Sequence, residues 1–280
     1  LMLMAWALGS MAWSHTYLAG VEAIRWFVFS LLLWLGLNRL TRDNLPIVAQ
    51  GVHWGAVMAS LWVALQFMVN FNLFPQGPNP ASTFVNRNFF AEFVVCTVPF
   101  SAWVLATARG QDQIALRSLF LAFNVLAIMM TGTRSAMLAL AILAVVLPLV
   151  MHRYRMQLGL DQWSRKDATV AIGIALATIL GLGSVPTGNP KIQAEDRGMT
   201  AIERSYFRVA SFSAEDEFKT GSGSVRMVMW RATGRMILDR PLTGVGAGAW
   251  EVDVPLYQVP GSQLETDFYA HNEYLQLLAE

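Results

Sequence analysis

The sequence predicts an all-α protein that crosses a membrane several times and carries one large polar segment toward its C-terminal side. Three observations predict it. Of the 280 residues, 55% are hydrophobic and only 14% are charged, with a mean hydropathy of +0.43; a soluble domain carries roughly 25% charged residues. Apolar runs close to the about 20 residues that span a bilayer recur from the first residue to Val185. Lysine and arginine gather in alternate short loops, which is the pattern that sets topology.

Taken in order, Leu1 to Trp13 reads as the last part of a span, and the chain reads as a piece of a longer protein. Gly20 to Leu37, Leu45 to Val69 and Phe89 to Ala108 read as full spans. Ala115 to Thr131 and Ser135 to Met151 form a pair joined by the short turn Gly132-Thr133-Arg134, and Ala168 to Val185 is the last, making seven with the first incomplete. Arg39 and Arg42, then Arg109 and Arg117, then Arg153, Arg155, Arg165 and Lys166 fall on one side, while the intervening short loops carry only Arg87 and Arg134. The expected topology puts the basic loops in the cytoplasm and everything after Val185 outside it.

The expected division is residues 1–185, spans with short loops, and 186–280, one large outer loop. That second part holds nine basic and thirteen acidic residues, so its net negative charge argues against a nucleic-acid partner. Pro186 to Gly223 reads as irregular, with short helices at most. Ser224 to Asp239 reads as a helix: Val225, Met229, Ala232 and Met236 recur at helical spacing, Ser224 is its candidate cap, and Pro241 stops it. A further helix is expected from Ala270 to Glu280.

Ionisable groups at a membrane surface are expensive and are functional candidates. Arg134 is wedged between two spans with almost no loop, and Arg87 sits in TFVNRNFF, beside Asn88. Both oppose the positive-inside bias, which weakens the reading of a merely snorkelling charge. Glu92, one turn into the fourth span, reads as the partner that holds an arginine, with an acid in the site as the alternative. Glu22 and Arg25 read as an i,i+3 pair. Arg226 flanks the apolar stripe of its helix, one turn before Trp230; Arg231, Arg235 and Arg240 read as a solvated or salt-bridged face. His271, beside Asn272, stands at a helix start, where the positive helix end favours the neutral imidazole that a general base requires. His15, His53 and His152 read as structural.

Cys96 is the one cysteine and lies in an apolar run, which excludes a disulfide or a cysteine-based metal site within the chain. Gly244 to Gly248 imitates a phosphate loop but follows a helix and a proline, so it reads as a tight turn. The acidic runs Glu195-Asp196 and Glu215-Asp216-Glu217 read as solvated charge, and no His/Asp/Glu spacing calls for a metal.

Four segments, STFVNRNFFAEF, MMTGTRSAMLAL, RMVMWRATGRMILDRPLTGVGAGAW and AHNEYLQLLAE, in this order around one large loop, resemble the O-antigen ligase superfamily of membrane glycosyltransferases. That superfamily also holds O-antigen polymerases and bacterial protein O-oligosaccharyltransferases. The resemblance covers the chain from about Gly51 to its end. It implies a GT-C-like enzyme of the bacterial inner membrane whose site faces the periplasm. Such an enzyme moves a glycan from undecaprenyl diphosphate to an acceptor hydroxyl, most simply on lipid A core, without cofactor or metal. In that chemistry Arg134, Arg226 and Arg87 bind the diphosphate, His271 is the base, and Asn88, Glu92 and Asn272 support them. A growing glycan or a protein hydroxyl is the alternative acceptor. A flippase or transporter would need polar residues through the midplane, and the span middles read as almost purely apolar. A non-catalytic envelope scaffold is the remaining alternative; it predicts that His271 and Arg134 are replaceable.

Overall fold

The computed structural model describes residues 1–14, 17–73, 75–77, 79–210, 222–259 and 269–280. Among them the regular elements are all helical. The chain forms two compact units, one of Thr41–Ser213 and one that joins Leu1–Leu40 to Ala214–Glu280.

The Thr41–Ser213 unit contains α3 (Leu45–Val69), α4 (Arg87–Ala106), α5 (Gln111–Thr131), α6 (Arg134–Arg153), the short α7 (Arg155–Leu158), α8 (Arg165–Gly183), α9 (Pro190–Gln193) and α10 (Ala201–Ala210). Among the described residues six helices are long and apolar enough to cross a membrane: α3, α4, α5, α6 and α8 here, and α2 (Leu18–Arg39) of the other unit. They fall on the six full spans expected, and α1 (Met2–Ser10) occupies the place of the incomplete one. Helices suit a bilayer because each backbone N–H and C=O is satisfied within the segment. Pro99 in α4 and Pro148 in α6 are accommodated inside their helices.

The core of this unit is made by α3, α4 and α5, with Val63, Phe67, Phe90, Val94, Leu126 and Met130 buried together. Ile192 of α9 and Ala201 of α10 enter the same cluster, so the polar segment is anchored onto the span ends by apolar contacts. The span interiors are less apolar than the sequence suggested. Ser60, Thr97, Ser101, Asn124 and Thr178 are all buried within spans, consistent with small and polar residues that let membrane helices approach closely. His53 is among them, its Nδ1 2.9 Å from Ser101 Oγ, which fits the structural role expected of it. Arg117, expected with a loop, lies on α5, and its Nη1 donates to the Val104 carbonyl at 2.7 Å; the helix begins earlier, at Gln111, behind Gly110.

A glutamine organises the connections at one end. Gln66, fully buried in the last turn of α3, accepts on Oε1 from the N–H groups of Ala81 and Ser82 at 2.9 and 2.7 Å. Its Nε2 donates to Gln76 Oε1 at 2.6 Å, and its own carbonyl accepts from Asn189 Nδ2 at 2.8 Å. Thr187 Oγ1 donates to the Phe67 carbonyl, and the Gly188 N–H to that of Met68. The end of α3, the 70–86 connection and the segment before α9 are thereby tied together.

The other unit packs α1 and α2 with α11 (Ser222–Asp239), α12 (Trp250–Asp253), a 3-10 turn (Val254–Tyr257) and α13 (Glu273–Ala279). On α11, Met229, Ala232 and Met236 are buried as the spacing predicts, against Trp250, Val254 and Ala279. The helix starts at Ser222, so Ser224 lies inside its first turn and is not the cap. Glu22 and Arg25 pair at 2.6 Å as expected. Gly244–Gly248 is a tight docking turn. Gly246, at φ +104°, brings its backbone so close to Ser14 that an added Cβ would sit 2.7 Å from Ser14 Cβ, and the Ala247 N–H donates to Ser10 Oγ at 3.1 Å. Trp250 is fully buried and donates from Nε1 to Thr233 Oγ1 at 2.9 Å. Trp250→Phe removes this donor and leaves a gap, and is expected to lower stability by about 1–2 kcal/mol, read as a lower Tm in detergent.

Candidate active site: an arginine cluster and a strained histidine turn

One end of the α3–α6 bundle gathers basic side chains, two of them paired to the carboxylate of Glu195. Arg87 is the first residue of α4, whose start is fixed by Asn86 Oδ1 accepting from the Asn88 N–H at 2.9 Å. Arg134 is the first residue of α6, two residues after the left-handed Gly132 (φ +63°) that ends α5. Thr133 Oγ1, between them, donates to Asn88 Oδ1 at 3.2 Å, so Asn88 holds the α5–α6 hairpin to the start of α4. Both arginines are thereby fixed to rigid helix starts.

Three further arginines, Arg197, Arg204 and Arg208, complete the cluster, and none of them stood out in the sequence. The TAIE run at residues 200–203 closes a capping box at the start of α10. Thr200 Oγ1 accepts from the Glu203 N–H, and Glu203 Oε2 accepts from that of Thr200, each at 3.1 Å. That helix sets Arg204 and Arg208 one turn apart on one face. Arg204 is fully buried; its Nε donates to the Met130 carbonyl at 3.1 Å and its Nη2 to Glu195 Oε2 at 3.0 Å. Its Nη1 is buried with no hydrogen-bond partner. Arg87 Nη1 takes the other oxygen, Glu195 Oε1, at 2.7 Å. Glu195, read as solvated charge, is therefore the carboxylate that holds Arg87. Glu92 is exposed and makes no hydrogen bond or ion pair with a described residue.

The arginines disfavour one another's charge. Burial pushes the Glu195 carboxyl up, and Arg87 and Arg204 together outweigh it and hold it below the usual carboxylate range. Burial, and then the charges of Arg197, Arg87, Arg134 and Arg204, push the Arg208 guanidinium down to about 10. A cation disfavoured by its neighbours is relieved by a nearby anion. An arginine fork offers paired N–H donors matched to phosphate oxygens. Chemically this is a seat for a multiply charged anion.

The remaining sequence candidates lie in the other unit. Asn272, and not His271, caps α13: its Oδ1 accepts from the N–H groups of Tyr274 and Leu275 at 3.1 and 3.2 Å. His271 precedes the cap, is exposed, and adopts a left-handed backbone at φ +53°. Such strain in a non-glycine residue persists only when its surroundings impose it. They do so here: Trp230 Nε1 donates to the Ala270 carbonyl at 2.8 Å, and the Ala270 N–H donates to Gln276 Oε1 at 3.1 Å. Arg226 is exposed and lies one turn before that same Trp230 on α11. Arg235 Nε bonds the Tyr257 carbonyl at 2.7 Å, and Arg240 lies 4.0 Å from Asp239, as expected of a salt-bridged face. His15 and the run Glu215-Asp216-Glu217 lie outside the described residues.

The family model described as O-antigen ligase matches residues 119–280, more than half of the chain. The chain belongs to the O-antigen ligase family. No curated protein and no solved structure matches it. As an O-antigen ligase family protein it is a multi-pass membrane protein with activity of the O-antigen ligase and polymerase type. The match spans Arg134, Arg204, Arg208, Arg226 and His271, and Arg87 lies before it.

Proposed function

We propose that this protein transfers a glycan from undecaprenyl diphosphate to an acceptor hydroxyl, with lipid A core as the acceptor, at the periplasmic face of the bacterial inner membrane. The arginine cluster around Glu195 carries this reading. In the transfer, the bond between the sugar anomeric carbon and the diphosphate oxygen breaks as the acceptor oxygen bonds to that carbon. The leaving diphosphate takes the electron pair, and Arg134, Arg87 and Arg226, joined by Arg204 and Arg208, stabilise its developing charge. His271 takes the proton of the acceptor hydroxyl. A direct displacement of this kind inverts the anomeric centre. Asn88 and Asn272 act through position, the first by pinning the hairpin, the second by capping α13.

The topology that goes with this reading puts residues 186–280 on the periplasmic side. Arg39, Arg42, Arg109, Arg153, Arg155, Arg165 and Lys166 then lie toward the cytoplasm, as the positive-inside bias requires. The test is made in cells lacking their own copy, with the full-length protein at matched membrane levels. His271→Ala and Arg134→Ala are each expected to accumulate carrier-linked glycan and to reduce acceptor-linked glycan by at least about 100-fold, in the range of lost general-base or oxyanion-type stabilisation. Normal product from both variants would overturn the transferase reading and favour a scaffold.

A further inference from the structure

Glu195 bridges two arginines of the cluster, Arg87 and Arg204, and occupies them with both oxygens. Two other acidic side chains of these elements do not share that work. Glu203 caps its own helix through the N–H groups of Met199 and Thr200, and Glu92 makes no pair with a described residue. Facing Glu195 are Arg87 and Arg204, with Arg197, Arg134 and Arg208 around them. Glu195 therefore serves both Arg87 and Arg204, and the buried Arg204 still keeps one guanidinium nitrogen without a partner. A fully buried guanidinium with an unmet donor is costly to maintain, and what it lacks is an acceptor oxygen.

We infer that Glu195 is a displaceable counter-ion: it holds Arg87 and Arg204 in place when the site is empty and competes with a diphosphate for the same guanidinium donors when the site fills. The inference rests on the donor-diphosphate reading above, and it adds a regulating residue to that site. Glu195 acts through the arginines and is a positioning residue. It keeps Arg87 and Arg204 assembled between turnovers. It also weakens the hold on the lipid diphosphate left after transfer, so that the spent carrier leaves. A lipid diphosphate and free pyrophosphate present the same oxygens to these donors.

The test uses inorganic pyrophosphate with purified full-length protein, wild type and Glu195→Gln. Glutamine keeps the shape and one acceptor oxygen and removes the charge. Pyrophosphate is expected to bind Glu195→Gln about tenfold more tightly, the effect of relieving roughly one 1.4 kcal/mol step of competition. In turnover the variant is expected to show a lower KM for the carrier-linked donor and a lower kcat, because release of the carrier slows. If Glu195→Gln unfolds without ligand, restoration of its folded Tm by pyrophosphate supports the inference, since the anion then replaces the missing carboxylate. Unchanged or weaker pyrophosphate binding, or an unfolded variant that pyrophosphate does not restore, overturns it. Tighter pyrophosphate binding alongside normal glycan product from His271→Ala and Arg134→Ala would leave the anion site standing and remove the transferase reading instead.

Discussion

Arg204→Met is expected to eliminate glycan transfer, with acceptor-linked glycan falling by at least about 100-fold at matched protein level. The side chain is fully buried and connects two elements: its Nε bonds the Met130 carbonyl at the end of α5, and its Nη2 bonds Glu195. Removing it leaves Glu195 with Arg87 alone and strips one positive charge from the seat. Breaking one partner from a buried ion pair costs about 3–5 kcal/mol, and Glu195 is partly exposed, so a loss near about 3 kcal/mol is expected in detergent. Arg204→Lys keeps the charge but replaces the two spaced nitrogens that reach Met130 and Glu195 by one ammonium, which loses the fork geometry. It is expected to retain the fold and still lose most of the transfer. Near-normal product from Arg204→Lys would show that charge alone suffices and that the fork geometry is irrelevant.

Gln66→Leu is expected to destabilise the Thr41–Ser213 unit strongly. Leucine fills similar volume but accepts nothing, so the Ala81 and Ser82 N–H groups, both bonded to Gln66 Oε1 in a buried setting, lose their acceptor. Each buried donor left unsatisfied costs about 1–3 kcal/mol, which gives about 2–6 kcal/mol for the pair. The loss would be read as a lower Tm. A second readout follows from position. Gln66 ties the 70–86 connection, which carries into Arg87, to the 187–189 segment that leads to Glu195. Transfer is therefore expected to fall even at temperatures where the variant stays folded. Gln66→Glu, which keeps both acceptor contacts, is expected to recover part of the stability. A wild-type Tm for Gln66→Leu would mean that these loops are held by other contacts.

The sequence determined what depends on local composition and period. Long apolar runs locate the spans because a bilayer imposes one length and one polarity on any helix that crosses it. The stripe Met229, Ala232 and Met236 announced a buried helix face, and the glycines at 244–248 announced a turn, because both follow from backbone geometry within a few residues. Arg87, Arg134, Arg226 and His271 stood out because they were charged or titratable groups in short turns or at element ends, and because their motifs resembled a family. The capping signature at Thr200 and Glu203 was also present in the sequence, and it alone could have shown that Arg204 and Arg208 share a helix face.

Tertiary structure decided which of these charges meet. Glu195 and Arg87 are far apart in sequence and 2.7 Å apart in space, whereas Glu92, five residues from Arg87, makes no pair with it. The difference is one of direction: Glu92 lies on an exposed part of α4, while the segment before α9 is bonded through Thr187, Gly188 and Asn189 to the end of α3 and so carries the loop after α9, with Glu195, to Arg87. Burial was equally invisible beforehand. Nothing local distinguishes Arg204, fully buried, from Arg231, exposed on α11. Packing of Ile192 and Ala201 into the span core draws Arg204 inward, because the apolar contacts fix the helix and leave its guanidinium no path to water.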